Sequence, residues 1–504
     1  MRGKPYDLVV IGGGINGVGI AADAAGRGLD VALFEKADLA SGTSSASSKL
    51  IHGGLRYLEH WEVRLVREAL AEREVLLARA PHLIRPLRFV IPHAEGMRPR
   101  ALIRLGLFLY DHLAARRQIP GSGAVDLARD PAGTPLRSDF DTGFSYYDCW
   151  VDDARLVVAV AMDAAERGAA IHTRAPVTRI VPRGETWEVT ADTPVGPLTV
   201  TARAIVNAAG PWCTEVADLL GADGRPPALR LVRGTHIVVP RIPGADDAYL
   251  LQNTDGRVVF VLPFEQQFTM IGTTEVNVAT PHDGFIPSGE EERYLLGAAS
   301  RFLSHALTDD DIVWRFAGVR PLVDDGASNA AAVSRDYRFE LVQAEGAPPL
   351  LNVIGGKITT FRRLAEAALT QLAPRFPGMG PAWTAHAPLP GGNLGAGGLE
   401  RLHDILVVRY PGIANDILLR VVSLYGTRAD RVLGDAKTAR DLGEAIGGGL
   451  TEREVTYLKD HEWARSADDV LWRRTKAGLH LGAAERARAE EAISRLVSGE
   501  PRGV

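Results

Sequence analysis

Three features of the 504-residue sequence predict an α/β fold built in three parts. A buried-strand run at residues 8–11 leads through closely spaced glycines into an Ala-rich helix. The same strand, glycine, helix order returns near residue 350, and strand-like runs (HIVVP, RVVFVLPF, FTMIGTT) fill the interval before it. The expected parts are a discontinuous Rossmann-like domain over residues 1–95, 150–215 and 350–385, a mixed-sheet domain over 216–349, and a helical domain over 390–504. A chain this long exceeds one core. With 46% hydrophobic and 24% charged residues, it reads as soluble and globular. A formal charge of -5 argues against a nucleic-acid partner. Cys149 and Cys213, the two cysteines, provide no disulfide framework, CxxC pair or iron-sulfur ligand set, and they fit a reducing, cytosolic setting; no metal is called for. No apolar run approaches the roughly 18 residues that span a bilayer, and the glycines of MRGKPYDLVVIGGG argue against a signal peptide.

The first glycine cluster is Gly12-x-Gly14-x-x-Gly17. Gly12 permits the tight turn, Gly14 lets backbone approach a pyrophosphate, and Gly17 lets helix pack on strand, which places phosphates at the helix N-terminus. Glu35 closes the second strand, where a carboxylate accepts hydrogen bonds from ribose hydroxyls. That favours FAD or NAD over NADP. In ARAIVNAAGPW a strand ends in Ala208, Ala209 and Gly210, small enough for a loop to lie against a cofactor. In PLLNVIGGKITTFRRLAEAALTQL a strand over residues 350–354 meets Gly355 and Gly356, and a helix begins at Thr359 and Thr360. This second helix N-terminus, with Lys357 beside it, suits the negative charge of a reduced flavin, and so points to FAD. DDARLVVAVAMDAAERGAAIHTRAPVTRI reads as helix then strand, and PLPGGNLGAGG as a linker to the helical part.

The segments IGGGINGVGIAADAAGRG, TSSASSKLIHGGLRYLEH, DCWVDDARLV, RGTHIVVPR, FAGVRPL and IGGKITTFRRLAE, in that order, resemble the FAD-dependent glycerol-3-phosphate dehydrogenases of the respiratory, aerobic type. That family lies within the glycine and D-amino acid oxidase superfamily. The resemblance covers residues 6–481. It implies an FAD-binding domain of that type, a substrate domain over 216–349 and a helical cap. It also implies cofactor contacts from Gly12, Gly14, Ile15, Asn16, Gly17, Glu35, Lys36, Leu50, Val177, Ala209, Gly210, Gly318, Gly356, Lys357, Ile358 and Thr359. Ser47, Ser48 and Lys49 are expected to give hydroxyls, amides and a positive charge to the pyrophosphate and ribitol. His52, Gly53 and Gly54 are expected to pass close to the isoalloxazine, where a Cβ would collide.

The family pattern places Arg56, Tyr57, His236, Arg320 and Lys357 around the phosphate and hydroxyls of glycerol 3-phosphate. The implied reaction gives dihydroxyacetone phosphate by hydride transfer to flavin, with His236 the first choice for the base and Arg320 and Lys357 as catalytic cations. His236 interrupts an alternating apolar strand, where a core histidine is the ordinary reading. The implied acceptor is membrane quinone, reached by peripheral attachment to the cytoplasmic face of the inner membrane, and the implied assembly is a homodimer. Residues 98–118 have apolar residues at helical spacing among arginines, which suits an interfacial helix as well as an ordinary buried one. WRRT at Trp472 suits an anion patch or a structural cap. Two alternatives stay open: a soluble oxidase that reduces oxygen to peroxide, and a silent flavin-binding sensor or scaffold.

Overall fold

The computed structural model describes residues 4–94, 97–116, 118–220, 228–324, 336–343 and 347–499. Strand β1 (Tyr6–Ile11), helix α1 (Ile15–Gly26) and strand β2 (Val31–Phe34) form the N-terminal βαβ unit with a later parallel partner. Both strands are apolar and almost wholly buried because helices cover the sheet. Strand β3 (Leu50–Ile51), helix α2 (Val63–Arg79), strand β4 (Ile84–His93), helix α3 (Arg100–His112) and strands β5 (Gly123–Asp126) and β6 (Thr142–Val151) follow. Helix α4 (Asp153–Glu166), capped by the Asp152 carboxylate, packs on α1. After it come β7 (Ala170–His172), β8 (Val177–Arg183), β9 (Thr186–Thr193), β10 (Gly196–Asn207) and the short α5 (Cys213–Asp218). Strands β11 (Leu229–Pro240), β12 (Ala248–Gln252), β13 (Val258–Phe264), β14 (Phe268–Gly272) and β15 (Val276–Val278) precede α6 (Gly289–Ser300). Strands β16 (Trp314–Val323), β17 (Arg338–Val342) and β18 (Leu350–Ile354) lead into α7 (Phe361–Leu372).

One sheet has the order β17-β18-β10-β1-β2-β7, with β9 paired to β10 and β8 to β9. Its strands β18, β10, β1, β2 and β7 run parallel, so their carboxyl ends open on one side, where open α/β sheets bind ligands. The other sheet has the order β15-β11-β14-β13-β12-β4-β6-β3, with β16 on β11 and β5 on β6; it is mixed through the parallel β12-β4 pair. Sheet membership departs from the expected boundaries at two places. Strands β3 and β4, expected with the nucleotide-binding part, hydrogen-bond into the second sheet, and β17, expected in the substrate part, pairs with β18 in the first. Partners distant in sequence decide which sheet a strand joins, and no local pattern reports them.

Helices α8 (Gly398–Arg409), α9 (Asn415–Tyr425), α10 (Ala429–Leu433), α11 (Glu452–His461) and α12 (Ala483–Ser498) enclose a core of their own that includes Leu406, Val421, Leu458 and Ile493. This helical part docks through buried ion pairs. Arg474 grips Asp38 with two 2.8 Å hydrogen bonds, Lys476 lies 2.7 Å from Asp152, and Arg155 meets Glu462. Arg473 also bonds Asp38 at 2.7 Å, so WRRT serves as a structural clamp. Among the described residues, no helix is long and apolar enough to cross a membrane.

Candidate active site

Strands β1, β10 and β18 end side by side, and each gives way to small residues: Gly12, then Ala208 and Ala209, then Gly355 and Gly356. Gly12 adopts φ +115°, and a Cβ there would lie 2.5 Å from the Ala208 carbonyl oxygen. A Cβ at Gly17 would lie 2.0 Å from the Gly12 carbonyl oxygen, so α1 packs on the turn as its spacing predicts. Gly14 caps α1, whose first amide, that of Ile15, donates to Ser44 Oγ at 3.0 Å. Glu35 is held by the Gly13 and Ala37 amides at 2.6 and 2.8 Å. Burial raises its pKa, and those two amides oppose the shift.

These turns open on a cavity of about 670 Å³ between the two sheets. One region is lined by Glu35, Lys36, Val177, Trp212 and Val216, with Lys36 Nζ 3.6 Å over the Trp212 ring. Gly12, Gly14, Ile15, Asn16, Ser44, Ser47, Ala209 and Gly210 line it at the turns after β1, β2 and β10. Leu50, His52, Tyr57, His236, Gly318, Arg320, Gly356, Lys357 and Ile358 line the rest, joined by Phe260 and Thr273.

His236 is buried on β11. Its Nε2 lies 2.9 Å from Ser48 Oγ, and its ring stacks on Phe316 at 4.9 Å. Burial first, then the Arg320 and Lys49 charges, push its pKa down to about 3, so the imidazole is neutral near pH 7. Arg320 on β16 approaches Thr273 Oγ1 at 3.5 Å and Glu275 at 3.9 Å. Lys357 Nζ sits 3.7 Å above the Tyr57 ring.

Several expectations are corrected. Lys49 does not line the cavity; its ammonium is buried 2.7 Å from Asp153, which also accepts from the Ser47 amide and hydroxyl. Arg56 turns to the Gly256 carbonyl at 3.2 Å and does not line the cavity, because the short helical turn Leu55–His60 carries it toward the β12-β13 loop. Gly53 and Gly54 are also outside the lining. A Cβ at Gly53 would strike Leu70, and one at Gly54, which has φ +79°, would strike Tyr57, so protein contacts explain both glycines. Thr359 is buried behind the wall, where its hydroxyl accepts from the His52 amide at 3.2 Å; α7 starts at Phe361 after a tight turn over Ile358–Thr360. Sequence reasoning missed Thr43, Ser44, Trp212, Phe260 and Thr273. The TSSASS run signalled the first two, since Ser44 meets the α1 terminus and Thr43 Oγ1 bonds the Val319 carbonyl at 2.6 Å.

The cavity fits a long, polar dinucleotide. Asn16 Oδ1, Trp212 Nε1 and His236 Nδ1 belong to lining residues and are buried without a hydrogen-bond partner among the described residues. Glu35 and the α1 terminus also line it, and are of the chemistry that would suit a ribose and a pyrophosphate.

The fold and this cavity define an FAD-dependent oxidoreductase: the family model "FAD dependent oxidoreductase" matches residues 7–362, and "C-terminal domain of alpha-glycerophosphate oxidase" matches residues 382–499. A glycerol-3-phosphate dehydrogenase of Pseudomonas aeruginosa is 50% identical over 99% of this chain and 96% of its own. A D-erythritol 1-phosphate dehydrogenase of Brucella abortus is 50% identical over 95% and 96%. The glycerol-3-phosphate dehydrogenase of Bacillus halodurans, solved with FAD, superposes with a TM-score of 0.75 at 27% identity, covering 100% of this chain and 97% of that one. The chain belongs to the FAD-dependent glycerol-3-phosphate dehydrogenase family.

Proposed function

We propose that the protein oxidises the C2 hydroxyl of sn-glycerol 3-phosphate to the ketone of dihydroxyacetone phosphate and passes the electrons to membrane quinone. One observation carries the substrate class: Arg320 and Lys357 line the same cavity as the buried His236. Two cations suit a phosphate dianion, and the imidazole suits the reacting hydroxyl. FAD, bound in the cavity, supplies the hydride acceptor.

The α1 terminus at Gly14, Ile15 and Asn16 holds the pyrophosphate, and Glu35 the ribose. Arg320 and Lys357 hold the substrate phosphate through charge-assisted hydrogen bonds worth about 1.5–3 kcal/mol each. The Tyr57 ring supports the Lys357 ammonium from below. His236 accepts the C2 hydroxyl proton. Its pKa of about 3 makes it a weak base alone, but an arriving dianion offsets the Arg320 charge that helps depress it and strengthens proton acceptance.

Helix α3 supports membrane attachment. Leu102, Leu105, Phe108 and Leu109 form an exposed stripe, with Leu102 58% and Phe108 57% exposed, and Arg104 lies beside it. Trp61, 87% exposed, follows the turn that an Arg98-Glu59 ion pair ties to the start of α3. An apolar stripe flanked by arginine suits a helix lying flat on anionic lipid. We place the enzyme there, on the cytoplasmic face of the inner membrane and as a homodimer, with quinone arriving through the lipid.

The test is anaerobic bleaching of the flavin by glycerol 3-phosphate, D-erythritol 1-phosphate and glycerol, in wild type and Lys357→Met. Bleaching fastest with glycerol 3-phosphate, at least ~100-fold slower with glycerol, and impaired in the variant supports the assignment. Preference for the four-carbon phosphate reassigns the substrate. Rapid peroxide formation without quinone reassigns the acceptor to oxygen.

A further inference from the structure

The helical C-terminal part reaches the cavity wall through a stack of rings. His236 stacks on Phe316 at 4.9 Å and 12°, Phe316 meets Trp314 at 4.8 Å, and Trp314 stacks on Trp472 at 5.0 Å and 23°. Trp314 and Phe316 lie two residues apart on β16 and so share a face, and Phe316 pairs with His236 in register across the β11-β16 ladder. Trp472 arrives from the helical turn Asp469–Arg474, the segment clamped to Asp38 by Arg473 and Arg474. Arg486 covers its ring at 5.3 Å, and a Cβ on Gly478 would come within 3.0 Å of it. Little freedom is left to the indole.

Among the described residues, the His236 ring makes a hydrogen bond at one nitrogen only: Nε2 approaches Ser48, while Nδ1 is buried without a partner. In many catalytic sites a second hydrogen bond, at the far ring nitrogen, fixes the imidazole plane. Here the flat contact with Phe316 takes that place; Phe316 packs on Trp314, with the Lys49 ammonium 5.2 Å from its ring, and Trp314 packs in turn on Trp472. We propose that Trp472 is a positioning residue for His236, so that the C-terminal part sets the plane in which the imidazole meets the substrate hydroxyl. This rests on the reading that His236 accepts the proton.

The experiment measures the limiting rate of flavin reduction by glycerol 3-phosphate in the holoenzyme, with FAD content and the substrate concentration dependence. The variants are Trp472→Ala, Trp472→Phe, Trp472→Leu, His236→Asn and the Trp472→Ala/His236→Asn pair. Trp472→Ala should slow reduction about tenfold at nearly unchanged half-saturating substrate, Trp472→Phe should recover most of the rate, and Trp472→Leu should not. In the His236→Asn background the alanine change should cost nothing further, because coupled positions are non-additive. A wild-type rate in Trp472→Ala, a full tenfold cost in the His236→Asn background, or equal rates for the Phe and Leu variants each overturns the proposal. If the alanine protein fails to fold or to hold FAD, the Phe and Leu pair decides. A wild-type rate in His236→Asn alone refutes the role given to His236, and that single variant separates the failure of the function from the failure of the stack.

Discussion

Replacing Lys49 by Met decides whether its charge serves the cofactor or the fold. Lys49 and Asp153 are 1% and 0% exposed and 2.7 Å apart; the ammonium also bonds the Ser45 carbonyl at 3.0 Å. Removing the cation leaves the Asp153 carboxylate buried with, among the described residues, the Ser47 and Ala154 donors. Breaking one side of a buried pair costs about 3–5 kcal/mol, whereas replacing both sides by apolar residues is often neutral. Lys49→Met should therefore lose about 3–5 kcal/mol, and Lys49→Met/Asp153→Leu should recover most of it, short of about 1 kcal/mol for the acceptor that Ser47 loses. Denaturant unfolding at saturating FAD measures the stability, and flavin titration of the apoprotein measures the affinity. A double variant that is stable yet binds FAD more than about tenfold more weakly would show that Lys49 acts on the cofactor phosphates, and the structural reading would be wrong.

Gly12→Ala should abolish FAD retention, since its Cβ would lie 2.5 Å from the Ala208 carbonyl oxygen at a left-handed φ; a normal flavin-to-protein absorbance ratio would contradict this. His236 has a native pKa of about 3, below the roughly 6.5 of an unfolded histidine. Its stabilisation is therefore complete above pH 6.5 and is lost as the pH falls toward 3; at pH 5 the loss is about 2 kcal/mol. The fall in unfolding free energy from pH 7.5 to 5 should be smaller by about that amount in His236→Asn, and an equal fall in both proteins would refute the depressed pKa. Leu105→Asp with Phe108→Asp should abolish co-sedimentation with anionic vesicles while leaving flavin reduction in solution intact. Persistent binding would move the membrane face elsewhere, and a change from dimer to monomer would assign α3 to the subunit interface.

What the sequence made legible was local chemistry. Gly12 is constrained by its φ and by the Ala208 backbone, Gly17 by the Gly12 carbonyl, Gly355 and Gly356 by positive φ, and His236 stands out from its apolar strand. Gly12, Gly14, Gly17, Gly356 and His236 were expected at the cavity; the lining includes all of these but Gly17, which packs on the Gly12 turn, and adds Gly355. The Lys49–Asp153 ion pair was not legible because the two residues are 104 positions apart. Where the Arg56 side chain points was not legible because a short helical turn sets it, and that turn has no periodic signature. The allocation of β3 and β4 to the second sheet likewise depends on β6, far along the chain. The exposed stripe on α3 was half-legible: spacing predicts an amphipathic helix, but only packing tells which of its faces meets the protein.

The clamp between Asp38 and Arg474, with Asp152 and Lys476 beside it, also bears on biosynthesis. A ribosome delivers both carboxylates long before it delivers their cations. Until residues 474 and 476 emerge, the strand-rich portion carries two carboxylates whose cation partners are missing, and burying a carboxylate without its cation costs several kcal/mol. The Gly/Pro-rich stretch near residue 390 is thus crossed by buried ion pairs that join the two sides. A polypeptide ending there should be recovered as a loose, protease-sensitive species even with excess FAD, because a segment made 436 residues after Asp38 locks the first nucleotide-binding strands in place.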